Sequence, residues 1–545
     1  MGNQWVLGFY LVFLSMFLVA TKYTCLGAQN STRSCHERER LALLEFKHSV
    51  KDDFEILSSW VGIDCCSWKG VRCDGVTGRV VGLHLRGDFG DYDYYEDGYY
   101  LEGDKVNPYL AELRHLQHLD LSGNNFYGSQ IPKFIGSFKQ LSYLNLSYAL
   151  FSGIIPHHIG NLSNLKVLDL RSSSYDETRL ITSNDMAWVS GLSSLEHLDL
   201  SYVDLSQAKN VAMVFYMIPS LEYISLSACE LSNADLGLHL NSSKILPNIE
   251  HLDLSSNSFE GQLPHFFQNL TSLTFLDLSY YNLSLAWNSV NLLNMIPSLS
   301  ELHLSGCELH NAPFSPTYLN SSAHSNIQYL DLSCNSIGGR FPSKLMNITS
   351  LTFLDLSENL LHSSVSVMPN LLKLDAHHQT RLNVPDSIRN MKALVSLDFS
   401  DNQLSGTIPQ SMAALNDLSS LNLSYNKLSG RFPTGKQLQT LIDPSIYAGN
   451  RDLCGEYLPN NCSNPENPPA TRSKNKYKKA NGLRKVWFYL DITCGFATGF
   501  WGIIGVLAFK KEWRRKLFMI AEVTMDKVYV AVAVKISKIK RSREA

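Results

Sequence analysis

Leu351–Asn359 reads LTFLDLSEN, and the same nine-residue frame returns along most of the chain. It appears as LQHLDLSGN from Leu116, IEHLDLSSN from Ile249, IQYLDLSCN from Ile327, LVSLDFSDN from Leu394 and LSSLNLSYN from Leu418. A frame L-x-x-L-x-L-S-x-N recurring about every 24 residues predicts a solenoid. Each turn supplies one short strand to a parallel sheet, and alternate strand residues face opposite sides, so the leucines point inward. One turn cannot bury its own leucines, whereas stacked neighbours can. A solenoid presents a long concave surface, which suits recognition better than catalysis.

The fold class that follows is an α/β solenoid: a leucine-rich-repeat superhelix with disulfide caps, plus one transmembrane helix. The expected organisation is a signal peptide over 1–28, an N-terminal cysteine cap over 29–79 and about 14 repeats over 80–436, degenerate near 361–390. A C-terminal cysteine cap over 437–471, a basic juxtamembrane segment over 472–485, a membrane helix over 486–509 and a short cytoplasmic tail over 510–545 complete it. The apolar run Trp5–Ala20, followed by Gly27 and Ala28, has signal-peptide length. The run Val486–Phe509 is long enough to span a bilayer, with Asp491 near its outer end. Charge is divided sharply. From Arg472 onward 18 Lys/Arg face 5 Asp/Glu, a net of +13, while residues 1–471 carry 29 against 45, a net of -16. The basic part brackets the membrane segment, which is not a nucleic-acid-binding pattern.

Cysteine usage indicates an oxidising compartment. Cys35, Cys65, Cys66 and Cys73 precede the repeats, and Cys454 and Cys462 follow them. Adjacent Cys65 and Cys66 are poor partners for each other. The favoured pairing is Cys35–Cys65, Cys66–Cys73 and Cys454–Cys462, although spacing alone does not fix connectivity. Cys229 and Cys307 fall on the frame's Asn position and are expected as buried structural thiols. Cys334 lies beside that position, and Cys494 lies in the membrane run. Sequons occur at Asn30, Asn145, Asn161, Asn241, Asn269, Asn282, Asn320, Asn347, Asn422 and Asn461. Those at Asn145 and Asn422 belong to the Leu-Asn-Leu-Ser strand itself, where a glycan would obstruct the concave face.

No catalytic constellation emerges, and no metal or cofactor is expected. The tail of 36 residues holds no kinase motif. The Asp residues of LDLS recur at one strand position, which indicates a structural role rather than acid/base work. The second x of L-x-x-L faces the concave side and reads His118, Tyr143, Val167, His197, Tyr223, His251, Phe275, Glu301, Tyr329 and Phe353. Strands about 4.8 Å apart would bring these rings into a ridge, and aromatic ridges are common interface anchors. The plainer reading is stacking that stiffens the sheet. The stretch Gly87–Asp104 holds seven acidic residues and five tyrosines and reads as a solvated loop, or as a contact for a basic ligand. Gly495 and Gly499 form GxxxG, with Thr498 and Gly502 on an adjacent stripe. Small residues four apart let membrane helices pack closely.

Four segments together resemble one family. Cys35–Val50 (CHERERLALLEFKHSV) with Cys65–Asp74 (CCSWKGVRCD) looks like the cap that precedes plant extracellular leucine-rich repeats. The plant-type L-x-G-x-[IL]-P extension occurs as SGIIP at Ser152, EGQLP at Glu260, SGTIP at Ser405 and the variant SGRFP at Ser429. The stretch from Gln437 to Cys462 is similar to the family's C-terminal cap, and Gly495–Arg514 to its membrane segment. The family is the kinase-less plant receptor-like proteins, the class containing receptors for fungal xylanase and the Cf-type resistance proteins. The resemblance implies a single-pass type I plasma-membrane receptor for an extracellular protein, peptide or glycan, acting in defence through a partner receptor kinase joined at the membrane helix. It also implies a co-receptor kinase near the last repeats, Leu394 to Pro433. Members of the family usually carry more repeats and an island domain, so this chain reads as internally shortened around the poor repeat LLKLDAHH at Leu371. Two other readings remain open on the sequence: an inhibitor of secreted hydrolases, and a shortened decoy.

Overall fold

The computed structural model describes residues 35–462 except 89–97, 173–180, 237–245, 285–295, 311–325 and positions 363, 380, 381, 442, 456, 457, 459 and 461. The chain divides into two units, Met1–Cys462 and Ser463–Ala545. The signal peptide, Asn30, Asn241, Asn320, Asn461 and most of the acidic tyrosine-rich loop lie outside the described residues, as do the juxtamembrane segment, Cys494, Gly495, Thr498, Gly499, Gly502 and the tail. Among the described residues no helix is long and apolar enough to cross a membrane.

A single 15-stranded sheet runs through the first unit. Its first strand, Val71–Cys73, pairs antiparallel with Val80–His84, and from there every partner is parallel, ending at Ser420–Asn422. Most strands have three residues, with a fully buried centre such as Leu119, Leu144, Leu168 or Leu198 and half-buried flanks. Register is kept residue for residue: His118 faces Tyr143, Leu119 faces Leu144, and Asp120 faces Asn145.

Most of the described turns are tied to the next by a ladder of buried polar side chains, chiefly carboxamides; Ala149, Val203 and Tyr281 take the position in others. The Asn402 side-chain nitrogen donates to the carbonyls of Ala376, Phe399 and Ser400 at 3.0–3.1 Å, and its oxygen accepts from the Gln379 amide at 3.0 Å. Asn124, Asn257, Asn335, Asn359, Asn426 and Asn450 repeat the arrangement. Buried backbone groups need partners of this kind. Cys229 and Cys307 stand in the ladder with thiols 3.1 Å from the carbonyls of Leu200 and Leu278. Burial raises the Cys307 thiol to about 12, so it remains protonated and able to donate. The residue before the frame's last position adopts a left-handed backbone, with or without a ladder side chain after it: Tyr148, Tyr202, Ala228, Ser256, Tyr280, Cys334, Glu358, His378, Asp401 and Tyr425 all have φ between 51° and 66°. Such conformations are uncommon for non-glycine residues and persist where surrounding bonds fix them.

The poor repeat at Leu371 is not a break. Its strand, Lys373–Asp375, pairs on both sides, with Phe353–Asp355 and Ser396–Asp398. Gln379 occupies the ladder position, donating 2.6 Å to the Leu356 carbonyl and accepting from the Leu361 amide at 3.0 Å. The L-x-G extensions place glycines at φ 77–81°, at Gly153, Gly261, Gly406 and Gly430, where the chain turns into short strands of a second side.

Each end of the core is closed. Helix Glu37–His48 buries Glu39, Ala42, Leu43 and Phe46 along one face. The Glu39 carboxylate accepts from the Val80 amide at 2.9 Å, which ties the helix to the first parallel strand. Disulfides Cys35–Cys65 and Cys66–Cys73 fasten the rest of this cap. At the other end, Ile446 and Ala448 take the backbone bonds of Leu423 and Tyr425, Asn450 supplies the last ladder side chain, and Cys454 is bonded to Cys462. Asn402→Ala is expected to lower stability by about 3 kcal/mol, because several buried backbone groups lose a partner at about 1 kcal/mol each. Asn402→Cys should lose roughly half as much, since a thiol retains one such bond. Urea unfolding of the two variants checks the ranking.

Candidate ligand-binding face

The first residue of each strand projects from the concave side of the sheet, and strand spacing brings these residues into van der Waals contact. His84, the last residue of its strand and in register with Asp120, leans into this column and forms a first run with His118 and Tyr143, ring centroids 4.0 Å apart at both steps. Val167 interrupts it. A longer run follows: His197 to Tyr223 at 3.9 Å, Tyr223 to His251 at 4.1 Å, and His251 to Phe275 at 3.8 Å, all nearly coplanar. Tyr329 then stacks on Phe353 at 3.9 Å, and the Lys373 ammonium lies 4.7 Å from the Phe353 ring centre. Glu301 should break this run, being a carboxylate in an aromatic column. His303 crosses over from the neighbouring column and bridges the gap, 5.2 Å from Phe275 and 4.8 Å from Tyr329. The structure therefore brings the predicted His197, Tyr223, His251, Phe275, Tyr329 and Phe353 together in one stack, and sets His118 and Tyr143 in a separate one.

Beside the rings runs a column of carboxylates. One oxygen of each Asp accepts from the backbone amide, and often the hydroxyl, of the serine two residues on, as in Asp120–Ser122, Asp199–Ser201, Asp253–Ser255 and Asp398–Ser400. These carboxylates thus shape the turn after each strand. Their other oxygens reach the next strand or the groove: Ser225 donates to Asp253 at 2.9 Å, and Asn422 donates to Asp398 at 3.0 Å.

Two cations interrupt the acidic column, and neither stands at a predicted position. Arg171 replaces the frame's serine, donates from both Nε and Nη2 to one oxygen of Asp199, and donates to the Tyr148 hydroxyl at 3.3 Å. His303 replaces the frame's aspartate, with Nε2 2.9 Å from Glu301 and Nδ1 3.7 Å from Asp331. The sequence signal was present in both cases: LDLR for LDLS, and ELH for the usual aromatic-Leu-Asp. Burial disfavours charge on His303, yet its bonds to Asp331 and Glu301 and the nearby Asp277 outweigh that and raise it to about 9. His118 and His251 are pushed down to about 4, mainly by burial. Asp169 is raised to about 6 by burial and by the neighbouring Asp199. Among the described residues, the one grouping of three potential metal-binding side chains is Cys35, Cys65 and Cys66, and all three are held in disulfides.

Tyr148, Tyr202, Tyr280 and Tyr425 recur, exposed, at the left-handed turn position. Sequence reasoning missed them because they lie past the strand, and their recurrence as Leu-Ser-Tyr was the available signal.

The shifts set a pH profile. His118 and His251 titrate lower in the fold than in the unfolded chain, so their contribution is complete above about 6.5 and is lost as pH falls through about 4. His303 titrates higher, so its contribution is complete below about 6.5 and fades as pH rises through about 9. His303→Gln should therefore depress the melting temperature most at or below pH 6.5 and little above pH 9. Asp169 titrates higher than an unfolded Asp, so its carboxylate costs stability progressively as pH rises from about 4, and the cost is complete above about 6. Asp169→Asn, which keeps the turn-closing oxygen as Asn145 and Asn422 do, should gain about 1–2 kcal/mol at neutral pH and nothing at pH 4. Thermal unfolding across pH 4–9 reads all three expectations.

Residues 36–74 match the leucine rich repeat N-terminal domain, residues 102–319 the leucine-rich repeat region, and residues 326–348 and 393–415 the leucine rich repeat. Receptor-like protein EIX1 of Solanum lycopersicum is 40% identical over 288 residues, which make up 50% of this chain and 26% of that protein. Receptor-like protein EIX2 of the same species is 33% identical over 387 residues, 62% of this chain and 37% of that one. The chain thus spans well under half the length of these curated relatives. The crystal structure of PEPR1-AtPEP1 overlays 78% of this chain and 51% of its own at 24% identity with a TM-score of 0.44, too loose a fit to bear on the concave face. With its cap and its repeats both matched, the chain belongs to the leucine-rich-repeat proteins, and its sequence is similar to plant receptor-like proteins.

Proposed function

We propose that this chain is a single-pass type I receptor-like protein of the plasma membrane whose concave face recognises an extracellular protein, peptide or glycan, and that it signals in defence through a partner receptor kinase. The observation that carries the recognition half is the stack from His197 to Phe353. It is a pre-ordered aromatic surface, half-buried by its own neighbours, with carboxylates on one flank. Side chains fixed by stacking lose little entropy on binding, which favours them as anchors. The relatives bearing the name receptor-like protein support a receptor role in general terms.

The signalling half rests on sequence. The GxxxG pair Gly495 and Gly499, with Thr498 and Gly502 beside it, offers a helix-packing surface in the proposed span through which a receptor kinase would be joined. A co-receptor kinase at the last repeats, Leu394 to Pro433, would complete the assembly.

Affinity purification of the full-length chain from plant plasma membrane tests this reading: a co-purifying receptor kinase supports it, and recovery without one contradicts it. Gly495→Leu with Gly499→Leu should abolish that kinase's recovery while surface expression persists. Tyr223→Ala with Phe275→Ala should weaken binding of an identified ligand about tenfold, or about 1.4 kcal/mol. Unchanged affinity would move the binding surface elsewhere.

A further inference from the structure

The described sequons fall into two structural classes that the tripeptide does not distinguish. Asn145-Leu-Ser147, Asn282-Leu-Ser284 and Asn422-Leu-Ser424 are folded onto themselves. In each, the asparagine oxygen accepts from both the amide and the hydroxyl of the sequon's own serine, the hydroxyl at 2.6–2.8 Å. Asn145 and Asn422 are strand residues of the concave sheet, with Asn145 Nδ2 3.4 Å from the Tyr143 hydroxyl and Asn422 Nδ2 3.0 Å from Asp398. The serines Ser147 and Ser424 are buried.

Asn161-Leu-Ser163, Asn269-Leu-Thr271 and Asn347-Ile-Thr349 are built differently. Each asparagine is the last residue of a five-residue 3₁₀ turn that follows a proline: His157–Asn161, His265–Asn269 and Ser343–Asn347. Asparagine and hydroxyl residue are exposed in all three. The residue between them turns into the core, with Leu162 and Leu270 fully buried and Ile348 packed against it. These turns lie across the leucine core from the strands, ahead of Val167, Phe275 and Phe353, so they are spread along the length of the coil.

We infer that Asn161, Asn269 and Asn347 carry the N-linked glycans of the described region, and that Asn145, Asn282 and Asn422 are bare in the folded, exported protein. The inference rests on the proposed export of the chain. Glycan transfer from a lipid-pyrophosphate-linked oligosaccharide forms a bond between the sugar's anomeric carbon and Asn Nδ2. The nitrogen loses one proton, and the lipid pyrophosphate leaves. At Asn161, Asn269 and Asn347 the product stands in solvent and leaves the turn intact. At Asn145 it would have to sit against Tyr143 between two paired strands, and at Asn422 it would displace the bond to Asp398. Chains modified there fold less well and are depleted from the exported pool. The concave face thus stays open while the far side carries bulky polar sugar, which directs any large partner to the aromatic stack.

Site-resolved glycopeptide mass spectrometry of the full-length chain, purified from plant membranes and deglycosylated in heavy-oxygen water, reads each site directly without any variant. Label at Asn161, Asn269 and Asn347, with none at Asn145, Asn282 or Asn422, is the expected result. Ser163→Ala, Thr271→Ala and Thr349→Ala, which leave each asparagine in place, should each remove one glycan step in gel mobility. Label at Asn145, Asn282 or Asn422, or its lack at any of the three exposed sites, overturns the assignment while leaving export intact. Absence of glycan from every sequon overturns export and this inference with it.

Discussion

A buried carboxamide or thiol at one fixed place in most of the described turns is the constraint on which the rest of this structure depends. The turn after each strand would otherwise leave three carbonyls and an amide without partners inside an apolar core, at a cost of roughly 1–3 kcal/mol for each group. Meeting that need from inside fixes the left-handed residue before the ladder position. It also fixes the strand register, and through register the alignment of side chains on the concave face. The ladder tolerates chemistry that preserves its geometry: thiols at Cys229 and Cys307, and a longer carboxamide at Gln379 where the preceding turn is short.

The concave face is the product of that register. A one-residue slip anywhere would turn the core leucine onto the concave face and the ring and carboxylate into the core, because strand side chains alternate with period two. His303 and Glu301 perform this exchange within one repeat without any slip, since the histidine takes the aspartate's place and leans back into the ring stack. The result is a positive centre inside an otherwise neutral aromatic run. Arg171 plays a related part nearer the N-terminal end, neutralising Asp199 while crowding Asp169. Ligand-facing electrostatics along the sheet are therefore uneven, with cationic points at Arg171, His303 and Lys373 set into an acidic band.

Much of this was legible because each repeat restates the same physical requirement. Leucine offsets located the strands, and the second x of each frame located the ring column. Legibility failed where a residue acts outside its own position. Gln379 looked like part of a degenerate repeat, since no sequence rule says that a longer amide can reach back to Leu356. His303 stands in its own frame, while its role depends on the rings of two neighbouring strands. The sequons show the limit most plainly: Asn145-Leu-Ser and Asn161-Leu-Ser are the same tripeptide, and only the backbone beneath them separates a closed turn from an exposed one.

The distance between successive strands ranges from 20 residues, between Phe353 and Lys373, to 36 residues, between Gly82 and His118. The sheet, however, runs through both intervals without interruption. Only the nine-residue frame is held to a template, and the return path can lengthen or shorten freely. A gene encoding such a chain can undergo unequal exchange between any two frames and still specify a closed core, provided the cut falls at matching points. Recombination can then shuffle concave residues as intact rows, generating new recognition surfaces without first having to rediscover a fold.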